Sequence, residues 1–143
     1  MAIPLSAEVR DLFDRPNYVH LATLRKDGSP RSWVVWVGVE GDRILICTDA
    51  GTLKAKDMQR DDRVSLSVVD LDNPYRMAAI QGRVVEVRPD PENEFMDLLS
   101  HKYTAQPFPH RSPTRVCFVV EAEHAGHRTL AFEHHPGGAQ GRH

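Results

Sequence analysis

The sequence predicts a mainly β domain, α+β in class, built from antiparallel strands with short flanking helices. Three observations carry this. Apolar runs of strand length alternate with tight turns rather than with long helices. Asp27-Gly28 and Glu40-Gly41-Asp42 stand where hairpins would turn. Gly82 interrupts the longest β-like run, 76–88, as a bulge does in a sheet that curls into a small barrel. The 143 residues contain no repeat and no linker, so one domain over 1–143 is expected, with an ordered core over about 5–133.

The elements follow in order. Ser6 can cap a helix running to Phe13, because Val9, Leu12 and Phe13 fall at i, i+3 and i+4 and Pro16 stops it. YVHLATL, 18–24, reads as a strand, and RSWVVWVGV, 31–39, as a second one. RILICT, 43–48, is the third. A glycine turn and a helix over about 52–60 come next, then strands over 64–70 and 76–88. The segment 89–103 predicts a helix with Phe95, Leu98, Leu99 and Lys102 on its stripe, and the proline-rich stretch 104–113 predicts a loop. RVCFVVEA, 115–122, is the last clear strand, and RTLAFE, 128–133, a short additional one. The Gly- and His-rich tail, 134–143, predicts disorder.

The formal net charge is −2, which argues against nucleic-acid binding through bulk charge, so an anionic ligand has to be held locally. No apolar run is long enough to span a bilayer, and the N-terminal stretch lacks the pattern of a secretory signal. A cytoplasmic protein is the expectation. Cys47 and Cys117 lie inside apolar strands and are expected to pack as small hydrophobes, with a disulfide left open as the alternative.

The most informative stretch is TDAGTLKAKDMQRDDRV, 48–64. Lys54 and Lys56 open its helix at the end where the peptide dipoles already place about half a positive charge. Pairing such as Lys54 with Asp57 would make this an ordinary solvated helix. The functional reading is an anion site: backbone N–H groups after Gly51, a hydroxyl from Thr48 or Thr52, and a charge-assisted contact from Lys54. Trp33 and Trp36 stand three apart in a predicted strand and therefore on opposite faces, one for the core and one for an interface or a flat ligand. His124-x-x-His127 and His134-His135 lack the companions of a zinc site, so no metal is expected. Walker, GxGxxG, GxSxG and HExxH motifs are absent.

Four pieces stand in register: ATLRKDGSP (22–30), VWVG (35–38), TDAGTLKAKDMQRDDRVSLSV (48–68) and DNPYRMAAIQGRV (72–84). Over about 18–120 the chain resembles the pyridoxamine 5′-phosphate oxidase-like flavin proteins, and among them the branch that uses the deazaflavin coenzyme F420. The resemblance implies a six-stranded antiparallel split β-barrel (the FMN-binding split barrel) that forms a homodimer with its cofactor groove at the interface. It places the strand-end hydroxyl on Thr48, the phosphate lysine on Lys54, and the following basic residue and Asn on Lys56 and Asp57. The segment that a second subunit brings to the cofactor falls on Tyr75, Arg76 and Met77.

Two departures matter. Thr52-Leu53-Lys54 replaces the Ser-Arg-Lys common in the oxidase branch, and Arg76-Met77 replaces Arg-Gln. Both favour F420 over FMN. The implied function is an F420H2-dependent reductase acting on a small organic acceptor, with FMN-dependent oxidoreduction or non-catalytic cofactor binding as alternatives. The expected cofactor-binding set is Trp36, Thr48, Gly51, Lys54, Lys56, Asp57, Arg60, Tyr75, Arg76 and Met77, with Tyr75 as the candidate proton donor.

Overall fold

The computed structural model describes residues 1–138. Its helices are α1 (Ala7–Asp14), α2 (Leu53–Arg60) and α3 (Glu94–Thr104). Its strands are β1 (Val19–Leu24), β2 (Pro30–Val35), β3 (Gly38–Glu40), β4 (Arg43–Asp49), β5 (Arg63–Val69), β6 (Arg76–Pro89) and β7 (Arg115–Thr129). All seven belong to one antiparallel sheet in the order β2-β1-β5-β6-β7-β4-β3.

The two edge strands, β2 and β3, are separated in sequence only by Trp36 and Val37. Three Cα steps reach at most about 11 Å. The sheet must therefore curl almost fully round to bring its edges together. No ladder joins β2 to β3 among the described residues, so the curl stays open along one seam. This corrects the expected count of six strands and the expectation of closure. The single strand read over 31–39 is two, because Trp36 and Val37 leave the ladder to cross the seam. Of the short strand expected over 128–133, Arg128 and Thr129 are the end of β7 and 130–133 form no strand.

Inside the curl lie Phe13, Phe118, Leu12, Leu21, Ile44, Ile46, Met58, Leu66 and Ile80, each at most 2 % exposed. Each such side chain contributes about 1.5–3 kcal/mol relative to leaving it in water. Helix α1 adds Val9, Leu12 and Phe13 as its periodicity requires, and Ser6 accepts a hydrogen bond from Val9 N. Helix α3 starts later than expected, since Pro89 ends β6 and Asp90 accepts hydrogen bonds from Phe95 N and Met96 N. Its packed positions are Met96, Leu99 and Ser100, while Leu98 is 66 % exposed.

Gly82 sits where the β6–β7 register shifts. A Cβ there would lie 2.1 Å from the carbonyl oxygen of Glu121, a backbone atom that cannot swing aside. Gly82→Ala is expected to cost about 2–3 kcal/mol through overpacking, read as a lower denaturation midpoint with an unchanged slope.

Cys47 and Cys117 are register partners on β4 and β7 and form a disulfide. The expectation of free, packed thiols is corrected here. Seventy residues separate the two in sequence, and only the strand order makes them neighbours. The outer face across β2-β1-β5-β6-β7 carries small and neutral residues in cross-strand rows: Val34, His20, Ser67, Ala79, Gly126 and, beside it, Ser32, Ala22, Ser65, Gln81, His124. Of the tail expected to be disordered, 134–138 is described, with the His134 ring edge-on to Tyr75, and 139–143 lies outside the described residues.

Candidate functional site

A groove of about 270 Å³ opens near the seam. Its walls are Val34, Val35 and Trp36 from β2 and its exit, Cys47 and Thr48 from β4, Lys54 from α2, Met96 from α3, Phe108 from the following loop, and Arg115 at the start of β7. Three residues expected at a cofactor site, Trp36, Thr48 and Lys54, are thus brought together.

Helix α2 is capped by Thr52, whose hydroxyl accepts from Ala55 N and donates to Asp49 O. Thr48 Oγ1 lies 3.1 Å from Thr52 Oγ1, so the strand-end hydroxyl and the cap hydroxyl form one unit. Gly51 N donates to Asp49 Oδ1. Asp49 also accepts from Ser112 and Thr114, and these bonds hold its carboxyl down at about 2. The turn is therefore tied to the loop that precedes β7.

Lys54 does not pair with Asp57. Its ammonium lies over the Trp33 ring, 5.3 Å from the centroid, and burial pushes its pKa down. Asp57 pairs instead with two arginines. It is fully buried and accepts from Thr23 Oγ1 at 2.8 Å, from Arg31 through two nitrogens at 3.0 and 2.7 Å, and from Arg60 at 2.8 Å. Burial alone would raise its pKa, but the hydrogen bonds from Arg31, Thr23 and Arg60 outweigh that and lower it. Arg60 also donates to Leu24 O. Asp57 and Arg60 thus tie α2 to β1 and β2 behind the groove. Lys56 is exposed.

Sequence reasoning passed over Arg115. It is 7 % exposed, donates from Nε to Asn93 Oδ1 and from Nη2 to His110 O, and lies 5.1 Å from the Phe108 ring centroid. Neither Arg115 nor Lys54 meets a carboxylate within ion-pair distance among the described residues. The available signal was an arginine opening an otherwise apolar strand directly after a proline loop.

Trp36 stacks on Tyr103, with centroids 5.1 Å apart and planes 7° apart, and Phe108 meets it edge-on. The backbone just after it is clamped by α3. Tyr103 OH accepts from Val37 N and donates to Asn17 O, while Lys102 Nζ donates to Val37 O and Phe13 O. Burial raises Tyr103 to about 12, so its hydroxyl keeps its proton at neutral pH. Trp33 is the inward tryptophan and donates from Nε1 to Thr23 Oγ1.

Tyr75, Arg76 and Met77 do not line this groove. Arg76 pairs with Asp11 and Asp70, Tyr75 packs against Phe132, and Met77 borders a separate, mostly apolar hollow with His20 and Val69. The His124-x-x-His127 pair lies in β7. Among the described residues, no helix is long and apolar enough to cross a membrane.

The sequence over residues 5–128 matches the family model described as pyridoxamine 5′-phosphate oxidase. The chain belongs to the pyridoxamine 5′-phosphate oxidase family. No curated protein matches it in sequence. Among solved structures it is similar to an F420 reductase, at 31 % identity and a TM-score of 0.78, over 87 % of this chain and 98 % of that one. A conserved hypothetical protein from Mycobacterium tuberculosis shares 24 % identity with a TM-score of 0.72, over 94 % and 92 % of the two chains. General Stress Protein 26 from Bacillus anthracis shares the fold at 15 % identity and a TM-score of 0.66, over 85 % and 91 %. Membership of the pyridoxamine 5′-phosphate oxidase family and similarity to a reductase indicate an oxidoreductase or flavin-binding role.

Proposed function

We propose that this protein is an F420H2-dependent reductase that acts on a small organic acceptor. The observation that carries the reading is a pair of cations, Lys54 and Arg115, on the wall of one groove, neither within ion-pair distance of a carboxylate among the described residues. A buried or half-buried cation left without a counter-ion fits an anionic ligand. F420 carries a phosphate and several tail carboxylates, and the donor set suits it. Leu53, 52 % exposed at the first turn of α2, offers no further charge where the oxidase branch has an arginine.

The residues divide the work. Lys54, Arg115, the Thr48–Thr52 hydroxyl pair and the first-turn N–H groups of α2 hold the phosphate. Trp36, fixed by its stack on Tyr103 and by the clamp on Val37, flanks the ring and keeps water from it. Lys56, exposed on α2, meets the anionic tail. The bound reduced deazaflavin supplies a hydride from C5 to an activated double bond, so the hard chemistry is the cofactor's. Tyr75, Arg76 and Met77 close the groove from a second copy of the chain, and the Tyr75 hydroxyl delivers the proton.

The second copy fits the outer face of β2-β1-β5-β6-β7. In a chain that is 27 % charged, a cross-strand patch of Ser, Ala, Gly, Val and His without a carboxylate or lysine is suited to burial against itself. Ala79→Arg, at the centre of that patch, is expected to convert a dimer into a monomer by light scattering and to lower cofactor affinity at the same time.

Parallel fluorescence titrations with F420 and FMN test the cofactor assignment. The reading expects saturable binding of F420 and at least about tenfold weaker binding of FMN, a difference of about 1.4 kcal/mol. The reverse order would assign the groove to FMN. Binding of F420 without turnover of F420H2 across quinones, enones and tetrapyrroles would make the protein a cofactor carrier.

A further inference from the structure

The cofactor reading leaves one cluster unused. Cys47, Cys117 and Asp90 bring their sulfur and carboxylate atoms within 4.8 Å of one another. The two sulfurs are not equivalent. Cys47 is partly exposed and lines the groove that Lys54 and Arg115 also line. Cys117 is fully buried behind it, with Sγ 4.0 Å from Asp90 Oδ2. The sulfur that opens on the groove can be reached by an oxidant from solution, whereas the buried one, beside a carboxylate, is reached only through its partner. That asymmetry is what an attacking and a resolving cysteine require.

We propose that Cys47 and Cys117 are a peroxide-oxidisable dithiol, with Cys47 the attacking thiolate, Cys117 the resolving thiol and Asp90 the acceptor of its proton. In the first step the Cys47 thiolate attacks one oxygen of hydrogen peroxide and the O–O bond breaks. Cys47 becomes a sulfenic acid, and the departing hydroxide takes a proton from solvent to leave as water. In the second step Cys117 transfers its proton to Asp90 and attacks the Cys47 sulfur. The S–O bond breaks, the disulfide forms, and the leaving hydroxide takes a proton to become a second water. The two cysteines together lose two electrons, and the peroxide gains them. The register makes the second step short-range, because residues 47 and 117 already face each other across β4 and β7. In the reducing compartment expected from the sequence, a disulfide of this kind is transient rather than structural.

The site is testable without any cofactor. Wild-type protein is reduced, freed of reductant and treated with one equivalent of hydrogen peroxide. Thiol titration should fall from two per chain to none, and peptide mass spectrometry should show an intramolecular 47–117 link. In Cys117→Ser, dimedone should trap a sulfenic acid at Cys47; in Cys47→Ser, the buried Cys117 should stay unmodified. Asp90→Asn should slow disulfide closure by at least about tenfold while leaving formation of the sulfenic acid unchanged. Two thiols persisting in the wild type after peroxide, a link between chains instead of within one, or dimedone on Cys117 would overturn the proposal. Equal slowing of both steps in Asp90→Asn would remove Asp90 from it. The wild-type thiol count and peptide map stand even if a variant fails to fold.

Discussion

Replacing Lys54 by alanine is expected to remove most of the affinity for F420 while leaving the fold intact. The ammonium touches the Trp33 ring and no carboxylate, so its removal strands no buried charge. Stability should change by about 1 kcal/mol, the cation–π contact with Trp33 being what is lost. The lost contact to a phosphate, a charge-assisted hydrogen bond, corresponds to about 1.5–3 kcal/mol, or roughly 10- to 150-fold in Kd. Lys26→Ala is the charge-matched control, since Lys26 is exposed in the 25–29 turn, away from the groove. Asp49→Ala would be a poor control, because Asp49 holds Gly51, Ser112 and Thr114 together. Equal affinity of Lys54→Ala and Lys26→Ala in a fluorescence titration would refute the phosphate site. Arg115→Met should show the same loss, because it removes the groove's other cation.

Three residues along the same helix, the opposite outcome is expected. Asp57→Ala should destabilise the protein by about 3 kcal/mol, near the low end for breaking a buried ion pair. It leaves Arg31 and Arg60 without their shared partner, and both guanidiniums, 22 % and 38 % exposed, can recover only part of their hydration. Thr23 loses its acceptor as well. Chemical denaturation would show this as a lower midpoint. The pH dependence follows from the lowered pKa of Asp57. In the folded state the group stays ionised below the unfolded carboxylate pKa of about 3.9. Its contribution is thus complete above that value and is lost as pH falls through the lower folded pKa. The stability gap between wild type and Asp57→Ala should therefore hold at pH 5–8 and shrink only in strong acid. A gap that closed near pH 6 would contradict the assignment.

Those two variants separate the halves of one helix. The sequence placed Lys54, Lys56, Asp57 and Arg60 together and could not say which faced the ligand. Their charges nearly balance on paper, and 3.6-residue periodicity alone permits Lys54 to pair with Asp57. The fold divides them. Asp57 and Arg60 bond to Thr23, Arg31 and Leu24, while Lys54 lies over Trp33 and lines the groove.

Much of the architecture was legible locally. The α1 stripe, the hairpin at Asp27-Gly28, the strand at 43–48 and the irregularity at Gly82 depend on neighbours in sequence, and side-chain periodicity and glycine reveal such features. The interruption at Trp36 and Val37 was not legible, because an apolar run does not show where hydrogen bonding stops. Four pieces in register also conveyed the family, and with it the expectation that Thr48 and Lys54 belong to one site.

What the sequence by itself determined is therefore the set of local elements, the family, and the chemistry available at the first turn of α2. The tertiary structure alone decided which groups share a space. It put Arg115 and Lys54 on the wall of one groove, placed Cys47 opposite Cys117, and bonded Asp57 and Arg60 to β1 and β2. The reason is physical: each of these encounters is set by the order of strands in a sheet that curls round on itself, and strand order joins residues seventy positions apart without leaving a trace in local composition.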